Sequence, residues 1–406
     1  MDRRSFFKYA SFSGAMTAFL GGLHPALALT WQKIGTTSGT TGKWNKVTVT
    51  GGGASTIGIA SMTLGDSHDL LLRSDGLVFG CGYNTYGGIG DTTIVNKSSF
   101  IQIPILSNVV AVAGGGKHSF ALRSDGVVFG CGYNIMGILG GVAGIGTSSF
   151  VQVSTISMVQ AIATRNVSSC ALRSDGLLFA TGYNGNGQLG VNSILTKASF
   201  FQVPGLSSVT AVSMGQSHCL ALRSDGLVFS SGRNIYGALG INNTVDKSSF
   251  VQALGLSNVT AIAAGSNYSF ALRSDGLVFA AGNNINGTLG INTTLDKSSF
   301  VQVSGLSNVI AMAANGHTIV LRSDGLVFAC GYNAKGGLGD NRTVNKSSFV
   351  QVPGLSNVLL LAVAGGNNSI ALRSDGLVFA CGYNGFGQLG DNTTVNKSSF
   401  IQMTTP

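Results

Sequence analysis

Apolar and polar positions alternate along this chain in short runs, and the same set of runs returns every 50 residues. Ser269-Phe270-Ala271-Leu272-Arg273 is apolar and of strand length, Asp275-Gly276 interrupts it, and Leu277-Val278-Phe279-Ala280 resumes it. Asp-Gly between two apolar runs predicts a hairpin whose two central residues both take positive φ. Upstream, Asn258 to Gly265 alternates larger with very small side chains, which suits a crowded inner strand. Downstream, Asn283 to Gly290 is rich in turn formers and predicts a loop. Ser299-Phe300-Val301-Gln302-Val303 alternates again and predicts a fourth strand. Four antiparallel strands in about 50 residues make one propeller blade.

The tetrapeptide Arg-Ser-Asp-Gly begins at Arg73, Arg123, Arg173, Arg223, Arg273, Arg322 and Arg373, at spacings of 50, 50, 50, 50, 49 and 51. A fixed period of this size marks a solenoid, propeller or array. An open array needs end units with polar outer faces. Here the last hairpin, Ala371 to Phe379, is as apolar as the middle ones. The expected fold is therefore all-β, a closed seven-bladed β-propeller of four-stranded antiparallel blades. The blades fall at about 54–106, 107–156, 157–206, 207–256, 257–306, 307–355 and 356–406.

Composition agrees with strands. The chain has 60 Gly, and all 15 acids are Asp, so the strong helix former Glu is missing. A hydrophobic content of 44% excludes disorder. The net charge of +9 is spread over many repeats and reads as a solvated surface, not a basic block.

The N-terminus has a basic start, a modestly apolar run from Tyr9 to Leu23, and the small-x-small pattern Ala26-Leu27-Ala28. The apolar run is short and carries Ser, Gly and Thr, so it is a poor spanning helix. Arg3-Arg4-Ser5-Phe6-Phe7-Lys8 resembles the twin-arginine export signal. That resemblance implies a signal peptide over 1–28 and a bacterial-type protein exported, already folded, to the periplasm or beyond. Residues 29–53, rich in Thr and Gly, do not fit the repeat and read as a linker or an extra edge strand.

Gly115-Gly116-Lys117-His118-Ser119-Phe120-Ala121-Leu122 and Gly382-Tyr383-Asn384-Gly385-Phe386-Gly387-Gln388-Leu389-Gly390 together carry a family pattern. They resemble the two halves of the regulator of chromosome condensation repeat, and the resemblance runs from about Ala54 to Met403. It implies a seven-bladed propeller. It also implies a binding role, since exported bacterial relatives include protein inhibitors of β-lactamase and the eukaryotic namesakes are nucleotide-exchange factors for a small GTPase.

Several apparent chemical signatures dissolve into the repeat. Gly65-Asp66-Ser67-His68 looks like a nucleophile site, but His68, His118, His218 and His317 share one offset from their arginines. Ser168, Tyr268 and Asn368 fill that slot elsewhere, which predicts a hydrogen-bonding position at a strand start. Neighbours in a strand face opposite sides, so Ser67 and His68 diverge. Equivalent ring positions stand about a sheet spacing apart, ~10 Å, too far for shared zinc ligation. Cys81, Cys131, Cys330 and Cys381 also share a slot and read as buried thiols; Cys170 and Cys219 leave a disulfide open. Gly185 to Gly190 and Gly385 to Gly390 match a dinucleotide fingerprint without the helix it needs. No catalytic residue, metal site or cofactor is expected.

Binding residues are sought where the copies disagree. The most variable loop slot holds Tyr86, Met136, Asn186, Tyr236, Asn286, Lys335 and Phe386. Tyr86, Met136, Tyr236, Lys335 and Phe386 are the candidates, because aromatic side chains supply interface hot spots. The expected function is a secreted, monomeric, non-enzymatic binding propeller that engages a protein or surface polymer through its loop face. The alternatives are an exchange-factor-like regulator of a small GTPase and a polyanion-binding envelope protein, the latter resting on the recurring lysines Lys97, Lys197, Lys247, Lys297, Lys346 and Lys397. Nucleic acid is disfavoured as a partner, and no transmembrane span is expected in the mature chain.

Overall fold

A computed structural model describes residues 58–403, except Ile105, Val142, Ile145 and Gly366, and before them only the short strands within residues 16–51. Of the export signal and the 29–53 segment only the backbone of short strands is described, among them Thr37–Ser38 paired with Thr40–Thr41 and Leu27–Trp31 paired with Thr48–Gly51. Every regular element among those described is a strand. From Ile59 onward the strands form seven four-stranded antiparallel sheets, each taken from consecutive sequence. In the first blade they are Ile59–Leu64, His68–Arg73, Val78–Gly82 and Lys97–Gln102. In the last they are Val358–Val363, Asn368–Arg373, Val378–Gly382 and Lys397–Gln402. The two inner strands are almost wholly buried, whereas the outer strand is half-exposed.

Small residues sit where the crowding is greatest. The inner strand of the sixth blade reads Val-Ile-Ala-Met-Ala-Ala, and its last four residues are buried. The ring closes by packing rather than by strand exchange. Ile59, Met62 and Leu71 of the first blade share one core with Leu360, Ile370 and Met403 of the last. Polar contacts cross the same seam: the Cys81 thiol donates to the Gln388 carbonyl at 3.3 Å, and Asn368 donates to Asp69 at 3.1 Å. A Cβ on Gly387 would strike the Cα of Ser98, so the last long loop can approach the first blade only with glycine there.

The Arg-Ser-Asp-Gly hairpin differs from its expected form. Gly76 has φ +85°, but Asp75 is not in the left-handed region. Gly76 N–H donates to the Arg73 carbonyl at 3.0 Å, and Arg73 N–H donates to the Leu77 carbonyl at 2.8 Å. This is a three-residue loop, a type I turn followed by a left-handed glycine, not a two-residue turn. The Asp carboxylate explains the choice: it accepts the Leu77 N–H at 3.2 Å and pairs with Arg73, whose guanidinium lies 5.1 Å from the Phe79 ring centre. The arginine keeps the Asp75 carboxyl below its ordinary range. The same triad recurs in every blade and neutralises that face of the ring.

Candidate functional site

The opposite face carries the long loops between the third and fourth strands. One buried asparagine organises each loop. The Asn84 side-chain oxygen accepts the Ile89 N–H at 3.0 Å, and its amide donates to Asp91 at 2.8 Å and the Thr93 carbonyl at 3.0 Å. Asn184, Asn234, Asn284, Asn333 and Asn384 repeat the oxygen contact. With the loop base fixed, the residues one or two positions beyond this asparagine project at its tip.

Five of those tip and base residues form a continuous aromatic arc over the seventh, first and second blades. Tyr383 meets Phe386 at 6.0 Å between ring centres, Phe386 meets Tyr83 at 5.0 Å, Tyr83 meets Tyr86 at 6.1 Å, and Tyr86 meets Tyr133 edge-on at 5.5 Å. Lys117 places its ammonium 4.3 Å from the Tyr86 ring centre, and Lys335 lies 5.9 Å from that of Tyr383. Beside the arc is a cleft of about 210 Å³ lined by Asp66, Tyr83, Lys117, Tyr133 and Asn166. Flat rings with polar hydroxyls, flanked by cations, give large contact area at small entropic cost.

The structure thus gathers Tyr86, Phe386 and Lys335 and separates the other two candidates. Met136 is exposed at the tip of the second blade. Tyr236 lies on the fourth blade in its own cleft of about 440 Å³ with Ile285 and Leu295. Tyr83, Tyr133, Tyr383 and Lys117 do not stand out in the sequence. The tyrosines occupy a slot that looks like repeat consensus, yet Arg233 and Asn283 replace Tyr there in the fourth and fifth blades. That loss on one side of the ring is the available signal.

The histidines are struts between blades. His68 Nε2 lies 2.8 Å from Ser119 Oγ, whose own hydroxyl donates to the Gly88 carbonyl at 2.7 Å. His218 and His317 make the same contact with Ser269 and Ser369 of the following blades, and each of those hydroxyls also donates to a carbonyl. The imidazole therefore donates to the serine, the reverse of what a general base does. Burial lowers the pKa to about 4 in His68, His218 and His317 and to about 3 in His118, which keeps the rings neutral. Tyr268 and Asn368 do equivalent work, reaching the His317 carbonyl and Asp69. Burial raises the pKa of Asp69 well above its usual value.

All six cysteines are free and buried, and the sulfurs of Cys170 and Cys219 are 3.9 Å apart. Among the described residues no group of three His, Cys, Asp or Glu side chains could hold a metal ion, and no helix is long and apolar enough to cross a membrane. Near the axis, buried Arg165 hydrogen-bonds Asn315 and lies 3.7 Å from Asp66. Its slot is glycine in the other blades except for Asn315, so two departures from the repeat meet across the ring.

Comparison with known proteins fits this architecture. The family model of the RCC1-like domain matches residues 32–314, and that of the regulator of chromosome condensation (RCC1) repeat matches 362–388. No curated protein matches the chain. Among solved structures, yeast RCC1 (Prp20) bound to Kap60 is similar with TM-score 0.73 and 19% identity over 86% of this chain and 85% of that one. Human WBSCR16 gives TM-score 0.73 and 22% identity over 81% and 95%. Prp20p from Saccharomyces cerevisiae, described with its binding to Gsp1p and histones, gives 0.72 and 20% over 86% and 88%. A family match over more than half the length, on seven blades of the matching repeat, means that this chain belongs to the RCC1-like domain family.

Proposed function

We propose that this chain is an exported, non-enzymatic binding propeller that engages another protein through its long-loop face. The aromatic arc from Tyr383 to Tyr133 carries the reading, because it is the place where unlike residues of neighbouring blades converge. Similar propellers described with Kap60, or with Gsp1p and histones, are in keeping with a protein partner. The exchange-factor alternative draws on the fold alone, and no feature of this face favours it.

The test is crosslinked capture from envelope and culture fluid. The wild-type chain should retain a partner that the Tyr86→Ala/Phe386→Ala variant loses, while Tyr236→Ala, away from the arc, retains it. Equal capture by all three removes the arc from the role. Export rests on Arg3-Arg4 and the cleavage pattern before Leu29. Replacing both arginines with lysine should leave the chain in the cytoplasm; unchanged export of that variant would refute the twin-arginine route.

A further inference from the structure

Among the described residues, fourteen of the twenty exposed large apolar side chains lie on the long-loop face, so apolar exposure is strongly one-sided. Six of the fourteen come from one slot, two residues before the outer strand. Val95, Leu195, Val245, Leu295, Val344 and Val395 occupy it and are 60–69% exposed. The second blade has Ile145 there, outside the described residues.

Folding does not require an aliphatic side chain at this slot. The loop uses only its backbone, as where Asn234 and Asn333 donate to the Val245 and Val344 carbonyls and the N–H groups of Leu195 and Val245 donate to Ser193 and Asn243. The next residue, by contrast, uses its side chain. Asn96, Asp246 and Asn345 accept the N–H of the loop asparagine. Yet that working position varies among Asn, Asp, Thr and Gly, while the idle, exposed one is Val, Leu or Ile in every copy. Apolar groups held in water without a folding role mark a contact surface.

We propose that this crown of aliphatic side chains seats the long-loop face on an anionic lipid bilayer. Each crown residue stands at the same place in its blade, so the ring lifts them to one level. A bilayer is the flat, sequence-blind partner that can meet every blade alike, whereas a folded protein would select one sector. Charge points the same way. The seven hairpin arginines of the other face are each matched by aspartate. Among the described residues, the bases outside those pairs outnumber the remaining aspartates by four, so their excess lies towards the long loops, where Lys117, Lys335 and Arg342 are exposed alongside Asp246 and Asp296. Shallow apolar insertion with basic groups at headgroup level is the pattern of interfacial binding. The inference uses residues other than the arc and stands without it.

The probe is cosedimentation of the purified chain with phosphatidylcholine vesicles, with and without phosphatidylglycerol. The wild type should partition onto the anionic vesicles. Combined Val95→Ser, Leu195→Ser, Leu295→Ser and Val395→Ser should lower that partition at least about tenfold, from lost apolar burial. Tyr86→Ala/Phe386→Ala, which leaves the crown intact, should lower it far less, and this separates the inference from the arc. Should the fourfold variant fail to fold, a polarity-sensitive dye on Leu295→Cys decides the matter, since the native cysteines are all buried. It should shift to the blue on vesicles, and the same dye on Val110→Cys, an exposed site on the other face, should not. A wild type that ignores vesicles, a crown variant that binds equally, or a crown that instead mediates self-association would each overturn the proposal.

Discussion

Two polar residues of the first blade show how differently similar-looking repeats are used. Arg73 and Asn84 recur in every copy, and both make side-chain hydrogen bonds. The Arg73 pair with Asp75 faces solvent, where an ion pair contributes little. Asn84 is fully buried, and it satisfies the buried Ile89 N–H, the buried Asp91 carboxylate and the part-buried Thr93 carbonyl. Its loss leaves the buried Ile89 N–H unpaired, while Asp91 keeps its contacts with Thr93 and Lys97, a cost of about 1–3 kcal/mol. Asn84→Ala should lower the unfolding free energy by that amount in denaturant titration and expose the first long loop to protease, whereas Arg73→Ala should change it far less. Equal losses would mean that the hairpin triad, not the loop asparagine, holds the blade.

At the level of elements, the sequence reveals whatever repeats and conceals whatever pairs two different positions. Strand order, blade count and the strut slot at His68, His118, His218 and His317 follow from one period read against apolar alternation. The hairpin departs from expectation because the Asp-Gly rule concerns backbone preference alone. In this setting the Asp75 carboxylate takes the Leu77 N–H and the Arg73 guanidinium, which holds Asp75 out of the left-handed region and leaves only Gly76 there. Arg165 and Asn315 are legible one at a time, as departures from glycine, but not as partners 150 residues apart. The arc is hidden for the same reason. Tyr86 and Phe386 stand out in a variable slot, whereas Tyr83, Tyr133 and Tyr383 stand in a slot that looks structural, and only ring closure brings residue 386 beside residue 83.

For the whole molecule, closure turns the strut histidines into a shared acid sensitivity. Each sits between two blades, is buried, and has its pKa lowered by desolvation from 6.5 to about 4 or, in His118, about 3. The unfolded chain binds protons below about pH 6.5 that the ring does not accept, so acidification favours unfolding. The stability involved is complete above pH 6.5, falls between 6.5 and about 4, and has no more to lose from these groups below about 3. Asp69 works in the opposite sense, because its raised pKa makes acid favourable to the fold, but it is one group against four. About three net protons correspond to a slope on the order of 4 kcal/mol per pH unit at its steepest. Denaturant midpoints measured from about pH 7.5 to 4.5 should therefore drop steeply. His218→Asn, which borrows the side chain Asn368 uses in the same slot, should flatten the curve by about one proton's worth. A wild-type curve that stays level across this range would mean that the imidazoles are hydrated and that the blades are not sealed against one another at these contacts.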